Sequence, residues 1–143
     1  MDDYNASTHL ISPNFYRDFA FEPAQKLLEA YRQMGIITFY HASEEGGSLP
    51  IMTELGADVL SPGPGIDMVE VIEMARGKVC VAGNIDPIAV LERGTVEEIE
   101  RETARLINAG KKAGGYIFNS GEMIPRDTPI ENIEAMMKVA KRG

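Results

Sequence analysis

Apolar residues along this chain fall into two alternating patterns, stripes at helical spacing and short unbroken runs. Over residues 14–34 the positions Phe15, Phe19, Leu27, Leu28 and Tyr31 recur as one face of a helix does. Ser12-Pro13 supplies an N-cap followed by proline at the first helical position, and Gly35 supplies the stop. Pro23 predicts a bend or interruption within that helix. Residues 36–40 are β-branched and aromatic and read as a strand, and residues 41–48 as a polar loop. A helix over 50–55 stopped by Gly56, a strand over 58–61 and the loop Pro62-Gly63-Pro64-Gly65 follow.

The same unit then recurs. Residues 67–75 carry Met68, Val71, Ile72 and Ala75 on one helical face, with Gly77 as the end. A strand over 79–82, a loop over 83–87 and a helical turn over 88–92 come next. Thr95 with Glu98 three residues later is a capping box opening a helix over 96–109, whose stripe is Val96, Ile99, Thr103, Leu106 and Ile107. After the Gly114-Gly115 turn come a strand over 116–119 and a loop over 120–126. A last helix opens at Thr128-Pro129, where Thr128 and Glu131 form a second capping box ahead of Ile133, Met136, Met137 and Ala140.

One helix followed by four strand-loop-helix units predicts an α/β fold with a parallel sheet. The strands are apolar on both faces, as buried parallel strands are. Two architectures fit: an open doubly wound sheet, or half of an eight-stranded barrel. A complete barrel takes about 250 residues, and this chain has 143. Residues 1–11 read as a flexible lead-in and 12–143 as the folded unit.

Composition narrows the classes. The hydrophobic fraction of 44% and charged fraction of 25% are those of a globular protein with a core. No run of 18 apolar residues is present and the acidic start is unlike a secretory signal, so no membrane partner is expected. The single cysteine, Cys80, has no internal disulfide partner, which makes a reducing cytoplasm the default. A net charge of −8 disfavours nucleic acid as a partner.

Several segments carry a family likeness. Gly83-Asn84-Ile85-Asp86-Pro87, the Gly94-Thr95 helix start, Tyr116-Ile117-Phe118-Asn119-Ser120-Gly121 and Ile124-Pro125-Arg126-Asp127-Thr128-Pro129-Ile130-Glu131-Asn132 stand in that order. With Ile11-Ser12-Pro13, His41 and Gly56-Ala57-Asp58-Val59-Leu60-Ser61, they resemble the uroporphyrinogen decarboxylase superfamily over residues 12–142. That superfamily includes the cobamide-dependent methyltransferases. The resemblance implies strands five to eight, the C-terminal half of a TIM-like (β/α)8 barrel. It also implies a preceding half that holds the arginine-rich motif and aspartate gripping the tetrapyrrole in decarboxylases. This sequence has no counterpart of either, so the expected partner is a missing N-terminal half, or a second copy through self-association.

In such barrels the chemistry sits at the C-terminal ends of the strands. His41 directly follows an apolar strand, where a metal ligand or general acid/base belongs. Methyltransferase members resemble His-x-Cys-Gly here, and Ser43 stands at the cysteine position. Their second zinc cysteine falls in a Ser-Gly-Cys-Gly-Ile-Pro-like segment, which here reads Ser120-Gly121-Glu122-Met123-Ile124-Pro125. His41 and Glu122 are therefore the catalytic pair and the metal candidates, with Glu44 or Glu45 a further ligand or, more plainly, a solvated loop pair. Asn84, Ser61 and Ser120 are the substrate-binding candidates. Asp86 before Pro87 reads as a helix cap. Cys80 reads as a buried inert thiol, Arg126 as a solvated loop cation, and Met68, Met74, Met136 and Met137 as core filler. Gly63 and Gly65 fall short of a phosphate-binding fingerprint.

Three functions follow as expectations. The first is a methyltransferase of the corrinoid-dependent type, with zinc as cofactor, a corrinoid as methyl donor or acceptor, and a small molecule or corrinoid protein as substrate. The second is decarboxylation of a uroporphyrinogen-like substrate in porphyrin biosynthesis. The third is a non-catalytic half-barrel that works by assembly.

Overall fold

A computed structural model describes residues 1–3, 5, 7–42 and 46–142 of the chain. Ser43, Glu44 and Glu45, named above as a cysteine replacement and as ligand candidates, lie outside the described residues.

Four strands form one parallel sheet: β1 (Phe39–His41), β2 (Val59–Ser61), β3 (Cys80–Asn84) and β4 (Tyr116–Asn119). Their order in space is their order in sequence, β1-β2-β3-β4. A doubly wound sheet reverses its strand order at a switch point. Here no reversal occurs, and of the two architectures the pattern allowed, the barrel type is the one present. The register sets Phe39, Tyr40 and His41 opposite Val59, Leu60 and Ser61, and Asn84 opposite Asn119. His41 and Ser61 share one level at the C-terminal ends of the strands, and Asn84 and Asn119 share another two residues further along; together they are called the rim below.

The helices are α1 (Pro13–Phe15), α2 (Glu22–Gln33), α3 (Leu49–Met52), α4 (Met68–Ala75), α5 (Val96–Ala113) and α6 (Ile130–Ala140). Two π-helical stretches, Tyr16–Phe21 and Pro87–Glu92, complete the set. The expected helix over 14–34 runs on through Pro23 without a break. The π stretch just before it widens the turn, and Pro23 falls in the first turn of α2, where its missing N–H leaves no hydrogen bond unmade. Ser12 caps as expected, its Oγ accepting from Phe15 N at 3.1 Å. The Thr95–Glu98 box closes reciprocally at 2.8 and 3.3 Å. The second expected box does not form. Pro129 is the N-cap of α6 and has no side-chain cap, and Thr128 Oγ1 is buried without a partner. The Thr128 N–H that Glu131 would accept from donates to Pro125 O at 3.2 Å instead, and with Pro129 as the cap Glu131 no longer stands at the third helical position.

Alternation along the strands divides the sheet into two faces. Tyr40, Leu60 and Val81 are buried with Leu28, Ile72 and Leu106 of the helices. Burying one leucine in this way contributes roughly 1.5–3 kcal/mol. On the other face Phe39 and Ile117 stay 42% and 46% exposed. The start of the chain lies against the outer edge of β1. Asp2 bridges His41 in parallel, His41 N donates to Met1 O at 2.9 Å, and Asp3 N donates to His41 O at 2.8 Å. Tyr40 Oη donates to Asp3 Oδ2 at 2.8 Å and lies 3.0 Å from Tyr16 Oη, with Tyr16 wholly buried. Residues 1–3, read as lead-in from the sequence, are tied down by these bonds. The ties run to residues some 37 positions away and are invisible to local pattern.

Candidate active site

His41 ends β1, and its ring is held from both sides. Nδ1 lies 3.0 Å from Ser61 Oγ, and Nε2 lies 3.2 Å from Glu122 Oε1. His41 and Ser61 are 9% and 2% exposed, while the Glu122 side chain keeps 33%. The His41–Ser61 contact follows from the register, which makes them neighbours on adjacent strands. The His41–Glu122 contact does not. Three strand spacings separate β1 from β4, about 14 Å in a flat sheet. Curvature of the sheet and the loop after β4 bring Glu122 back across the mouth.

That loop is shaped by its own bonds. Gly121 N donates to Asn119 Oδ1 at 2.7 Å and Ser120 Oγ donates to Glu122 O at 3.0 Å. Gly121 has φ +76°, and a Cβ there would sit 2.5 Å from Asn84 Cβ. Only glycine combines that backbone with that approach. Asn84, 5% exposed at the end of β3, donates from Nδ2 to Gly63 O at 2.8 Å and to Pro62 O at 3.4 Å. It ties the Pro62-Gly63-Pro64-Gly65 loop to the β4 loop that packs on it.

The structure thus joins His41, Ser61 and Glu122 by direct contact. It sets Asn84 and Ser120 beside them with side chains bonded to loop backbone. Asp86 Oδ1 accepts from Ile88 N at 2.9 Å and Ala89 N at 2.7 Å, the cap its sequence context implied. Cys80 opens β3 at the opposite end of the strands from the rim, and burial pushes its thiol up from the ordinary value, away from thiolate. Sequence reasoning missed Asn119 and Asn132. Asn119 stands in the quoted family segment, so the signal was there. Asn132 closes another of those segments; it is buried and donates to Leu91 O at 2.9 Å and Gly94 O at 3.2 Å, 41 and 38 positions away. A cavity of about 440 Å³ lies at the N-terminal ends of the strands, lined by Arg32, Asp58, Lys78, Cys80 and turn glycines. Arg32 and Asp58 in it stand 3.8 Å apart, and it is remote from the rim.

The methyltransferase pattern implies zinc, and the donors here answer it poorly. The segment around Glu122 offers a carboxylate where a thiolate is implied. Among the described residues no three of His, Cys, Asp and Glu gather as a metal-holding group. Zinc takes four ligands in a closed site and three in a catalytic one. His41 and Glu122 are two, so no step below runs through a metal. Among the described residues no helix is long and apolar enough to cross a membrane.

Compared with known proteins, the chain matches methylcobamide:CoM methyltransferase MtbA of Methanosarcina mazei at 31% identity, across 97% of this chain and 40% of that protein. It matches uroporphyrinogen decarboxylase of Trichodesmium erythraeum at 33% identity, across 92% of this chain and 37% of that protein. It therefore spans about two fifths of the length of these relatives. A solved structure, a methyltransferase from Methanosarcina mazei, superposes with a TM-score of 0.78 at 24% identity, over 99% of this chain and 41% of that one. The fold is the C-terminal half of a TIM-like barrel. The uroporphyrinogen decarboxylase (URO-D) family profile matches from residue 1 to residue 143, and the chain belongs to that family.

Proposed function

We propose that this chain is part of a methyl-transferring enzyme of the family, one that moves a methyl group between a corrinoid and a small-molecule acceptor. The observation that carries the reading is the His41–Glu122 pair, set at the strand ends. No Lys or Arg occurs in residues 61–67 or 84–86, and the loop over 120–126 carries one, Arg126, at its far end. A tetrapyrrole with many carboxylates needs arginine or lysine to hold it. This rim offers a carboxylate instead. That charge pattern suits an acceptor that must give up a proton before it takes the methyl group, such as a thiol.

A corrinoid, when bound, supplies the methyl-carrying centre. The residues of this chain manage the acceptor. His41 Nε2–H donates to one oxygen of Glu122. The second oxygen, on a side chain one third exposed, is left to take the acceptor's proton. Asn84 and Ser120 hold the two loops that shape the shelf on which the acceptor lies. The exposed face with Phe39 and Ile117 is where a complementary half, supplied by the rest of a barrel, closes over the site.

The test is turnover of methylcobalamin with a simple thiol, using the chain alone and the chain mixed with the separately expressed first part of the Methanosarcina mazei relative. Methyl transfer that is lost in Glu122→Gln and His41→Ala is the expected result. Carbon dioxide release from uroporphyrinogen without methyl transfer would replace this reading with the decarboxylase one. Metal analysis of the purified chain checks the other branch. Substoichiometric zinc is expected. One zinc per chain, lost in His41→Ala, would turn the proton pair into a ligand pair.

A further inference from the structure

The outer edge of β1 is only half covered. Backbone groups of a parallel strand bond alternately to one side and the other. Even-numbered residues here serve β2: Val59 N donates to Thr38 O at 3.0 Å and Ala42 N to Ser61 O at 3.1 Å. Odd-numbered residues serve the outer edge, where Met1 N donates to Phe39 O at 2.8 Å, His41 N to Met1 O at 2.9 Å and Asp3 N to His41 O at 2.8 Å. Residues 1–3 therefore continue the ladder in step, as the end of a fifth parallel strand. The bond from Tyr40 Oη to Asp3 Oδ2 fixes the register, because a slip of one residue would turn Asp3 to the other face. Below Phe39 the series stops. The Phe39 N–H and the Ile37 carbonyl come next in it, and among the described residues no strand lies beside them. Along this open stretch runs a groove of about 320 Å³, lined by Met1, Leu27, Tyr31, Ile36, Ile37 and Phe39. Ile37 is 81% exposed. Proteins ordinarily blunt an open edge with charge or proline, and residues 36–39 carry neither.

We propose that this groove takes an extended apolar segment that runs parallel to β1 and ends at Met1, supplied by the polypeptide that completes the barrel. The ladder sets its direction, from the N-terminal ends of the strands toward residues 1–3. Its side chains alternate, one toward Leu27 and Tyr31 under the helix and the next toward Ile37 and Phe39 on the inner face, so both of its faces are apolar. A second copy of this chain fits badly. The strand edge it would offer is that of β4, which leads at once into the loop carrying Glu122. Set beside residues 36–38, β4 would drive that loop into residues 1–3. With residues 1–3 the sheet counts five strands, and two copies would bring too many for an eight-stranded barrel. Each copy also carries a charge of −8. A complement with the remaining strands fits the count, and this chain covers 40% of the Methanosarcina mazei relative. The proposal stands on the ladder and the groove, not on the methyl-transfer reading.

The experiment is amide hydrogen exchange, read by NMR, on the full chain with and without an apolar extension ahead of Met1 of about six residues, one ordinary strand length. Valine, isoleucine and threonine make up the extension, and a glycine-serine extension of equal length is the control. In the unextended chain the His41 amide should exchange slowly and the Phe39 amide fast. The apolar extension should slow exchange at Phe39 by at least about tenfold, and the control should not. Ile37→Pro removes the next donor along the edge, and should cut that protection while the unextended variant keeps the wild-type thermal transition. Where the extended chain does not stay monomeric, the same amide is read in the chain mixed with the separately expressed first part of the Methanosarcina mazei relative, with the same expectation. A Phe39 amide already protected in the unextended monomer, or left unprotected by both the extension and the relative's first part, would overturn the proposal. So would a dimer of the unextended chain in sedimentation with Phe39 protected, since a second copy would then be the occupant. No turnover is read, so failure of the methyl-transfer reading and failure of this one are seen separately.

Discussion

Asp58 at the N-terminal ends of the strands and Glu122 at the C-terminal ends are both carboxylates beside a basic side chain, and their surroundings differ. Asp58 Oδ2 accepts from Thr38 N at 2.7 Å and Thr38 Oγ1 at 2.8 Å, and Arg32 Nε stands 3.8 Å from Oδ1. Thr38 Oγ1 accepts in return from Asp58 N at 3.0 Å. The Thr38 hydrogen bonds, backbone first, hold the Asp58 carboxyl below its ordinary range, and Arg32 adds a smaller pull. Glu122 makes one side-chain contact among the described residues, to His41. One end of the sheet spends its carboxylate on closing β1 onto β2. The other keeps a carboxylate oxygen uncommitted, which is what a proton acceptor requires and a structural clamp does not.

Substitutions at the two ends should separate activity from stability. The largest effect is expected from His41→Ala, a fall in turnover of at least about 10²-fold, the lower range for loss of a positioned acid/base. Its melting temperature should stay close to wild type, and a collapse of the fold would erase the distinction between the ends. Next is Gly121→Ala, where the positive φ and the approach to Asn84 should together cost about 1–3 kcal/mol. Chemical denaturation measures it, and a neutral outcome would mean that the loop is not held as described. Asp58→Asn should cost about 1–2 kcal/mol, the low side for charged hydrogen bonds because the carboxylate is partly open to water.

The same residue gives a pH dependence with a defined sign. The folded-state pKa of Asp58 is below its ordinary value of 3.8. Its stabilising contribution is therefore complete above that ordinary value and is lost as pH falls through the lower folded one. Wild type should lose this share of stability only in that acid window, and Asp58→Asn should not show it. The smallest effects compare the two expected caps. Thr95→Ala should cost about 1 kcal/mol. Thr128→Val should cost nothing measurable, because it removes a buried hydroxyl that has no partner.

That last pair shows where the sequence was a sufficient guide. Thr95 and Glu98 satisfy each other within one turn, so everything the motif needs is local. Thr128 and Glu131 carry the same spacing, but the Thr128 N–H that the motif returns to is taken by Pro125 O and the helix is capped one residue later, at Pro129. The parallel units and the order of the strands were legible from apolar runs and glycine stops, although β1 lies at Phe39–His41 and not over 36–40. The choice between barrel and doubly wound sheet was not, because strand order is a long-range property. For the site, His41, Ser61, Asn84 and Glu122 were legible as strand-end residues. Their pairing was not, because nothing in a one-dimensional pattern says that Glu122 reaches back across the mouth to His41 and leaves Asn84 to the loops.

The sequential strand order also bears on when the site comes into being. His41 and Ser61 are 20 positions apart, whereas His41 and Glu122 are 81 apart. From an unfolded chain, two doublings of loop length add about 1.2 kcal/mol to the entropy of closure. Docking β2 and then β3 against β1 shortens that loop step by step. The histidine consequently meets its hydroxyl early in folding and its carboxylate at the end. Assembly of the reactive pair reports that the whole unit is complete, and a chain arrested before β4 would hold His41 against Ser61 without Glu122.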